Sequence, residues 1–286
     1  MKQKVYKNIF RIVILIALVF IIYCIYNSYD DIKFSTNPNR AYVINLNKRP
    51  DRWDNIQKSF QNSSIELIRL PAIENKDGNI GCGLSFMKAV KYAKKHSMKT
   101  ILIFEDDNKP LERFNERWQI IKEWLDSNLD KWEIFNGGAR FPDWFNYEKT
   151  NNSEYIDKTS LKYSINDNEF LFQTDKLLST NWIYINNSVY DKVLKWDSSI
   201  YRDNLIYIDK YLLDTKYFNH IFSIPHLALQ ENGKSNIVNE TINYEKNNKN
   251  LISIFNDVYI KEVNNNNYTT LALVKKYLIN NPLLSN

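Results

Sequence analysis

The sequence predicts an α/β domain that is built on a mainly parallel β-sheet. From Arg40 onward, short apolar runs rich in β-branched residues alternate with longer stretches of helical periodicity. Strands separated by helices pair in parallel, because the helix carries the chain back to the edge where it started. Polar or glycine-containing turns follow several of the apolar runs. Ligands of such sheets bind beyond the carboxyl ends of the strands, so these turns are the expected location of a site.

Three strands and two helices are predicted in the first half of this domain. The helix that precedes the third strand carries its apolar residues on one face, as a helix packed on a sheet does. The third strand is a continuous apolar run, which is typical of a strand buried on both faces. The predicted strands span Ala41–Leu46, Ile65–Leu70 and Ile101–Phe104, and the predicted helices span Trp53–Phe60 and Phe86–His96.

The second half continues the alternation with one long interruption. Residues Phe141–Gln173 are polar and rich in Asn, Asp and Tyr, and the segment is predicted to be an irregular functional loop or lid. The turn Asn136–Gly138 follows a strand and is predicted to allow a close backbone approach. Strands are predicted at Trp132–Phe135 and Thr180–Ile185, and helices at Phe114–Leu125, Ser188–Trp196 and Leu271–Ile279.

Composition limits the classes of function. The chain has 286 residues, of which 44% are hydrophobic, so it is long and apolar enough for one well-buried globular domain. The net charge of +5 is modest, and no dense Lys/Arg block is present, which argues against nucleic-acid binding. One of the two cysteines, Cys24, lies inside the apolar N-terminal run, so a structural disulfide with Cys82 is not expected.

The N-terminus predicts a membrane anchor. Basic residues up to Arg11 precede an apolar run from Ile12 to Tyr26, and Asp30 and Asp31 follow it. The run is short for a bilayer span, which needs about 20 residues, but Arg11 and the flanking tyrosines extend it. A cleavable signal peptide is the alternative, although no small-x-small cleavage site follows. The positive-inside rule predicts a single-pass type II membrane protein with an extracytoplasmic domain.

The corresponding division of the chain has four parts: a cytoplasmic tail (1–11), a transmembrane signal-anchor (12–29), a stem (30–39) and a single large domain (40–286). Glycosylation sequons occur at Asn62, Asn151, Asn186, Asn239 and Asn267. They would be open to modification in a eukaryotic secretory lumen, and they do not decide the compartment.

Three consecutive acids, Glu105, Asp106 and Asp107, follow the third strand directly. Neighbouring carboxylates repel one another unless a cation lies between them, and a hard divalent ion with oxygen ligands satisfies that need. Side chains alternate along extended backbone, so Glu105 and Asp107 are predicted to share a face. The pattern fits a metal–diphosphate site. The alternative is a solvated acidic turn closed by Asn108 and Pro110.

Charged residues at two further positions in the sequence are candidates for the site. Arg49 and Arg52 lie in the basic loop and helix start that follow the first strand, where a phosphate group can bind. Solvated arginines are the alternative. Asp209 is a further acid in an apolar setting, the stretch Ile206–Lys210.

The order of these motifs resembles glycosyltransferase family 25, which includes lipopolysaccharide and procollagen galactosyltransferases. The resemblance covers about Arg40–Ile237. It rests on these pieces, in this order: Tyr42-Val43-Ile44-Asn45-Leu46 with Arg49 and Arg52, Gly81-Cys82-x-Leu84-Ser85, Ile103-Phe104-Glu105-Asp106-Asp107, Asp209, and Pro225 to Gln230 with Ser235 and Ile237.

The resemblance implies a GT-A-like, Rossmann-related fold and a UDP-galactose or UDP-glucose donor with Mn²⁺ or Mg²⁺. It further implies inverting transfer of the hexose to a hydroxyl of a glycan, glycolipid or glycoprotein acceptor, as in lipopolysaccharide biosynthesis. The implied metal ligands are Glu105, Asp107 and His226, the last with a structural histidine as the alternative. The implied donor contacts are Asn45, Arg49, Arg52, Asp106, Gln230 and Ser235. The implied base is Asp209, with a structural acid that caps the following helix as the alternative.

Two departures from the family pattern leave a second interpretation open. Phe86 stands where the family commonly has His, and Lys210 follows the candidate base. A catalytically degenerate member that binds glycans or a partner enzyme is therefore the alternative function. A hydrolase or phosphotransferase is a third, but no glycine-rich phosphate loop or nucleophile elbow supports it.

Overall fold

The computed structural model describes residues 11, 13–19, 32, 35, 37–138, 160–166, 169–174, 179–199, 206–224, 226–231, 233–234 and 241–242. The chain divides into two compact units, Met1–Thr36 and Asn37–Asn286. In the first unit, residues 13–19 are helical. No helix within the described residues is long and apolar enough to cross a membrane. Most of the anchor predicted at 12–29 lies outside the described residues, so it stays a prediction.

An eight-stranded sheet forms the centre of the second unit. Its strands are β1 Arg40–Asn45, β2 Glu66–Pro71, β3 Thr100–Glu105, β5 Ile134–Asn136, β6 Ser160–Ser164, β7 Phe170–Gln173, β8 Trp182–Asn186 and β9 His220–Ile224. They lie in the order β2-β1-β3-β8-β5-β9-β7-β6. Six of these strands point in the same direction, and β7 and β8 oppose them. The predicted α/β class and mainly parallel direction are therefore confirmed.

Two small antiparallel ladders accompany the sheet. Strand β4, Asn108–Pro110, pairs with β10, Ala228–Gln230, and the register sets Asn108 opposite Gln230. The second ladder joins β11, Gly233–Lys234, to β12, Thr241–Ile242. The first ladder matters for the site, because it fixes Gln230 beside the chain that leaves β3.

The sheet contains more antiparallel pairing than the sequence indicates. Strand β8 inserts between β3 and β5 and is antiparallel to both. An apolar strand of this kind carries no signal of its direction, which depends on distant partners. Strands β6 and β7 form a hairpin inside the segment that was predicted to be irregular, where Phe170 and Leu171 are fully buried. That prediction is wrong for the hairpin, and residues 141–159 and 167–168 of the segment lie outside the described residues.

Five helices of the second unit are described: α1 Pro50–Ser59, α2 Gly78–Lys95, α3 Phe114–Ser127, α4 Tyr190–Val193 and α5 Ile208–Leu212. Helix α2 begins well before the predicted Phe86, because Asp77 accepts hydrogen bonds from the backbone N–H groups of Asn79 and Ile80 and so caps the helix. Gly83 lies inside this helix, where an added Cβ would be 2.0 Å from Trp196 Cη2. The glycine therefore permits close packing of the helix against Trp196.

Strand β3 is the centre of the core. Its residues Ile101–Phe104 are at most 3% exposed, as expected for a strand covered on both faces. Aromatic side chains from helix and sheet pack beside it: Trp118 meets Trp182 edge to face at 4.7 Å between ring centroids. Such a pair contributes roughly 0.5–1.5 kcal/mol beyond the burial of its area. The three acids are thus attached to a strand that is buried in the core.

The order in which successive strands are added to the sheet changes direction at β1. Strand β2 pairs on one side of β1 and β3 pairs on the other, both in parallel. A crevice opens at the carboxyl ends of neighbouring strands where such a reversal occurs, and ligands of α/β sheets bind there. In this domain the crevice lies between the end of β1 at Asn45 and the end of β3 at Glu105.

Candidate functional site

A pocket of about 240 Å³ lies at this crevice. Its walls come from the loops after β1 and β2, the start of α2, the acidic turn after β3 and the end of β10. The lining includes Arg52, Asn75, Gly81, Cys82, Ser85, Glu105, Asp106, Asp107, Gln230 and Glu231. All three acids predicted from the sequence therefore line one pocket, together with Arg52 and Gln230.

Asp106 is held by the end of β1 and by α1. Its Oδ2 accepts a hydrogen bond of 2.7 Å from Asn45 Nδ2, and its Oδ1 accepts one of 2.8 Å from Arg52 Nη1. Asn45 is 1% exposed, and its Oδ1 accepts from Arg69 Nε at 2.8 Å. Because Arg69 offers only donors, it fixes the Asn45 amide with its NH₂ group toward Asp106. Asn45 therefore acts on the site through Asp106 and is not itself in the pocket wall.

Asp107 has one oxygen with hydrogen-bond partners and one without. Its Oδ2 lies 3.4 Å from Arg52 Nη1 and accepts from Gln230 Nε2 at 3.3 Å. Its Oδ1 is buried and has no hydrogen-bond partner. A buried carboxylate oxygen without a partner is costly, and it is the kind of atom that a cation would coordinate.

Glu105 ends β3, and its Oε1 accepts a hydrogen bond of 2.8 Å from Thr180 Oγ1. Burial, with the added repulsion of Asp107, raises the pKa of Glu105 to about 8. Burial and the charge of Asp106 likewise raise the pKa of Asp107 to about 6, against the opposing effect of Arg52. Ionisation of all three acids would therefore place more negative charge in the pocket than Arg52 offsets.

The same environment affects the pocket thiol. Burial and the neighbouring acids raise the pKa of Cys82 well above its ordinary value. A thiol in these surroundings stays protonated and is a poor nucleophile. This observation gives no support to covalent chemistry at Cys82.

Arg49 and Arg52 have different environments although both follow β1. Arg52 lies between Asp106 and Asp107, and its side chain is 15% exposed. The Arg49 guanidinium pairs with Asp51 at 2.8 Å and does not line the pocket. Of the two predicted nucleotide contacts, the structure thus brings only Arg52 to the acids.

Asp209 lies in the first turn of α5 and outside the pocket wall. Its Oδ2 accepts from the Ser179 N–H at 3.3 Å, and its Oδ1 accepts from the Lys210 N–H at 2.7 Å. Ser179 Oγ in turn lies 3.3 Å from Gln230 Oε1. Asp209 is therefore connected to Asp107 by hydrogen bonds that run through Ser179 and Gln230.

The last two predicted residues do not join this group. His226 is 5% exposed, its Nδ1 lies 2.9 Å from the carbonyl oxygen of Ser223, and it does not line the pocket. The backbone oxygen of His226 accepts from Arg117 Nη1, and Arg117 is paired with Glu169 in a buried ion pair. Ser235 lies outside the described residues.

Within the part of the chain that the structure describes, no three His, Cys, Asp or Glu side chains converge as a ready-made metal site. A smaller set of protein ligands remains compatible with a metal that arrives with a diphosphate. Mg²⁺ in particular is bound by one or two carboxylates, and substrate phosphates and waters complete its shell. The pocket offers carboxylate ligands for Mg²⁺ bound in this way, because Asp107 Oδ1 has no hydrogen-bond partner and Glu105 also lines the pocket.

Sequence reasoning missed four residues that organise the site. Arg69 orients Asn45, Thr180 binds Glu105, Ser179 connects Asp209 to Gln230, and Asn108 exchanges hydrogen bonds with Asn181. Only Asn108 had a local signal, because it follows the acids directly. The other three are distant in sequence from the residues they contact, and their types are common on any surface.

No protein-family model matches the chain, and no curated protein matches it either. Among the similar solved structures is A197 from STIV, with 11% identity, coverage of 64% of this chain and 81% of that chain, and a TM-score of 0.37. Mannose-1-phosphate geranyltransferase from Thermus thermophilus has 8% identity, coverage of 67% and 73%, and a TM-score of 0.32. Inositol-1-phosphate CTP transferase from T. maritima has 14% identity, coverage of 69% and 91%, and a TM-score of 0.32. Likenesses at this level establish no function for this chain.

Proposed function

We propose that the chain is a metal-dependent, inverting glycosyltransferase of the family 25 type with a GT-A-like fold. It transfers a hexose, galactose or glucose, from a UDP-sugar to a hydroxyl of a glycan, glycolipid or glycoprotein acceptor. One observation carries the proposal: the buried Asp107 Oδ1 has no hydrogen-bond partner. It lies in a pocket at the place where the strand order of the sheet changes direction. A carboxylate kept in that state needs a cation, and a cation at that place serves a phosphate-bearing ligand.

In this proposal Asp107 and Glu105 hold a divalent ion, Mn²⁺ or Mg²⁺. When bound, the ion neutralises the charge that develops on the departing diphosphate. Asp106 has a different role, because Asn45 and Arg52 already engage both of its oxygens. It holds Arg52 in place, and Arg52 presents a fixed positive charge in the pocket wall beside the diphosphate.

Asp209 is the proposed general base. Inversion requires a group that removes the proton from the acceptor hydroxyl as the hydroxyl attacks the anomeric carbon. The N–H of Ser179 binds Asp209 Oδ2 and orients the carboxylate. Gln230, which contacts Asp107 and Ser179, lies between the proposed donor and acceptor ends of the site.

The partners in this proposal are a UDP-sugar, a hydroxyl-bearing glycan, glycolipid or glycoprotein, and a membrane that the N-terminal anchor enters. The domain would lie on the extracytoplasmic side, and nucleic acid has no place in the reaction. Lipopolysaccharide biosynthesis is one setting that offers such acceptors.

Turnover of the donor tests the proposal. The purified full chain, kept in mild detergent, is incubated with UDP-galactose or UDP-glucose labelled in the hexose, with Mn²⁺ or with EDTA. We expect release of UDP that depends on Mn²⁺, with the label passing to water or to a supplied glycan mixture. Asp107→Asn keeps the size of the side chain and removes its charge, and we expect it to lower the rate by about 100-fold or more.

Asp130→Asn is the matched control. Asp130 is exposed and is not part of the pocket wall, so this variant should keep the wild-type rate. Unchanged turnover in Asp107→Asn would contradict the assignment of the site. Release of phosphate from simple esters would instead favour a phosphoesterase, and UDP binding without any turnover would favour the degenerate binding module.

A further inference from the structure

The segment Ser179–Asn181, which leads into β8, contacts the site residue by residue. Thr180 Oγ1 donates to Glu105 Oε1 at 2.8 Å. The carbonyl oxygen of Asn181 accepts from the Glu105 N–H at 3.0 Å and from Asn108 Nδ2 at 2.9 Å. The segment therefore fixes the end of β3 from the side of β8, through both backbone and side chain.

Ser179 connects this segment to the rest of the site. Its N–H donates to Asp209 Oδ2 at 3.3 Å, and its carbonyl oxygen accepts from Asn136 Nδ2 at 2.9 Å. Its Oγ lies 2.8 Å from Asn181 Oδ1 and 3.3 Å from Gln230 Oε1, so its single proton has two acceptors. The residue is 6% exposed, and all of its polar atoms face other residues of the site or of the strands around it.

The backbone of Ser179 is left-handed, with φ of 77°. This region is uncommon for residues other than glycine, and it persists only where the surroundings hold it. Here the surroundings are the two hydrogen bonds of the peptide groups, to Asp209 on one side and to Asn136 on the other. The unusual conformation turns the N–H toward the candidate base while the hydroxyl lies between Asn181 Oδ1 and Gln230 Oε1.

Gln230 completes a connection from Ser179 to Asp107. A carboxylate accepts only, so Gln230 must present its NH₂ group to Asp107 and its oxygen to Ser179. The ladder between β4 and β10 fixes the backbone of Gln230 opposite Asn108. The side chain orientation then depends on its two contacts, which are Asp107 and the Ser179 hydroxyl.

We infer that Ser179 is a positioning residue: through Gln230 it orients the proposed metal ligand Asp107, and through its N–H it orients the proposed base Asp209. This inference rests on the proposed function, because it assigns Ser179 to the same site. It makes one residue outside the acidic motif responsible for the relative placement of the metal end and the base end. A purely structural role would require only that Ser179 hold the start of β8.

Binding of Mn²⁺ distinguishes these roles. Free Mn²⁺ is followed by its electron paramagnetic resonance signal while the ion is titrated into the full chain, with and without UDP. For Ser179→Ala we expect the Mn²⁺ concentration at half-saturation to rise about tenfold, which is at the lower end of what outer partners of metal ligands contribute. A structural role would lower the unfolding midpoint and leave half-saturation unchanged.

Three further variants make the result specific. Ser223→Ala makes the same change at a fully buried serine of β9 that is not part of the pocket wall, and it should leave half-saturation unchanged. In a Gln230→Ala background, Ser179→Ala should have no additional effect, because the connection is already broken. Ser179→Gly adopts a positive φ without strain, so it should fold even where Ser179→Ala does not, and it should show the same tenfold change.

The outcomes separate the two claims. If the wild-type chain binds Mn²⁺ and both Ser179 variants bind it equally well, the positioning role is wrong and the proposed function stands. If the wild-type chain binds no Mn²⁺ in the presence of UDP, the proposed function is wrong, and the role inferred for Ser179 is overturned with it.

Discussion

Asn45 and Asp106 are 61 residues apart in the sequence, and Asn45 Nδ2 donates a hydrogen bond of 2.7 Å to Asp106 Oδ2. The bond joins the carboxyl ends of β1 and β3 at the place where the strand order of the sheet changes direction. Arg69 fixes the Asn45 amide from the other side, at 2.8 Å. The acidic turn therefore has a set position before any ligand arrives.

Loss of this bond should destabilise the domain. Asn45→Ala leaves the buried Asp106 oxygen and the Arg69 guanidinium with fewer partners, so we expect the free energy of unfolding to fall by about 1–3 kcal/mol. Urea denaturation measures the change. Asn55→Ala, at an exposed position of α1, is the control and should stay within about 0.5 kcal/mol of wild type. Equal effects of the two variants would show that the Asn45 bond stabilises the domain no more than the exposed Asn55 side chain does.

Arg52 and Arg49 allow a matched comparison in one short stretch. Arg52→Met removes the cation between Asp106 and Asp107, whose side chains are 10% and 17% exposed. We expect a loss of about 3 kcal/mol in the free energy of unfolding at neutral pH, because both acids then lack a compensating charge. Arg49→Met removes a cation that pairs with the exposed Asp51, and its effect should be much smaller. If Arg49→Met proves the more damaging change, the description of the site is wrong.

Stability of the metal-free domain should fall as the pH rises. The pKa of Glu105 is raised from 4.5 to about 8, so the folded state keeps a proton that the unfolded state has lost between these values. The unfolded state then binds fewer protons, and the free energy of unfolding decreases with increasing pH across that window. Asp107, raised from 3.8 to about 6, contributes in the same direction at lower pH.

The check is urea denaturation in EDTA at several pH values between about 5 and 8.5. Glu105→Gln has no titrating proton at this position and should show a flatter dependence than wild type. Parallel curves for the two proteins would mean that Glu105 does not titrate in this window.

Asp209 should affect the chemical step and leave donor binding intact. Asp209→Asn retains an acceptor oxygen for the Ser179 N–H and removes the basicity, so turnover should fall by about 10²–10⁴-fold. The affinity for UDP with Mn²⁺ should be unchanged, because Asp209 is not in the pocket wall. Asp214→Asn, just beyond α5, should keep the wild-type rate. A parallel loss of UDP affinity would indicate that Asp209 is structural.

Much of the fold is predictable from local pattern. The burial of Ile101–Phe104 and the helix from Phe114 follow from apolar periodicity, which depends on neighbouring residues only. The antiparallel insertion of β8 is not predictable in this way, because its direction depends on β3 and β5 and leaves no trace in Trp182–Asn186. The early start of α2 was missed because Gly81 and Gly83 resemble turn residues, whereas they allow contact with Ile73 and Trp196.

The residues of the candidate site also fall into two groups, those that local sequence pattern predicts and those that only tertiary contacts bring to the site. Glu105, Asp106, Asp107 and Arg52 stand close to strand ends in sequence, and topology alone brings strand ends together. Ser179 and Thr180 reach the site through tertiary contacts, and a left-handed serine has no sequence signature. Arg49 is as close to β1 in sequence as Arg52 is, but it pairs with the neighbouring Asp51 and does not line the pocket.

The proposed function requires that the pocket at the acidic turn bind a nucleoside diphosphate through a metal. Thermal unfolding of the full chain with UDP, with Mn²⁺, with both and with neither tests it most directly, for wild type, Asp107→Asn and the control Asp130→Asn. A ligand at about 100 times its dissociation constant stabilises by about 2.7 kcal/mol, which corresponds to a rise of roughly 5–10 °C for a domain of this size. We expect a rise that requires both UDP and Mn²⁺, is kept in Asp130→Asn and is absent in Asp107→Asn. An equal rise in Asp107→Asn, or no rise in the wild type with UDP and Mn²⁺ together, would contradict it.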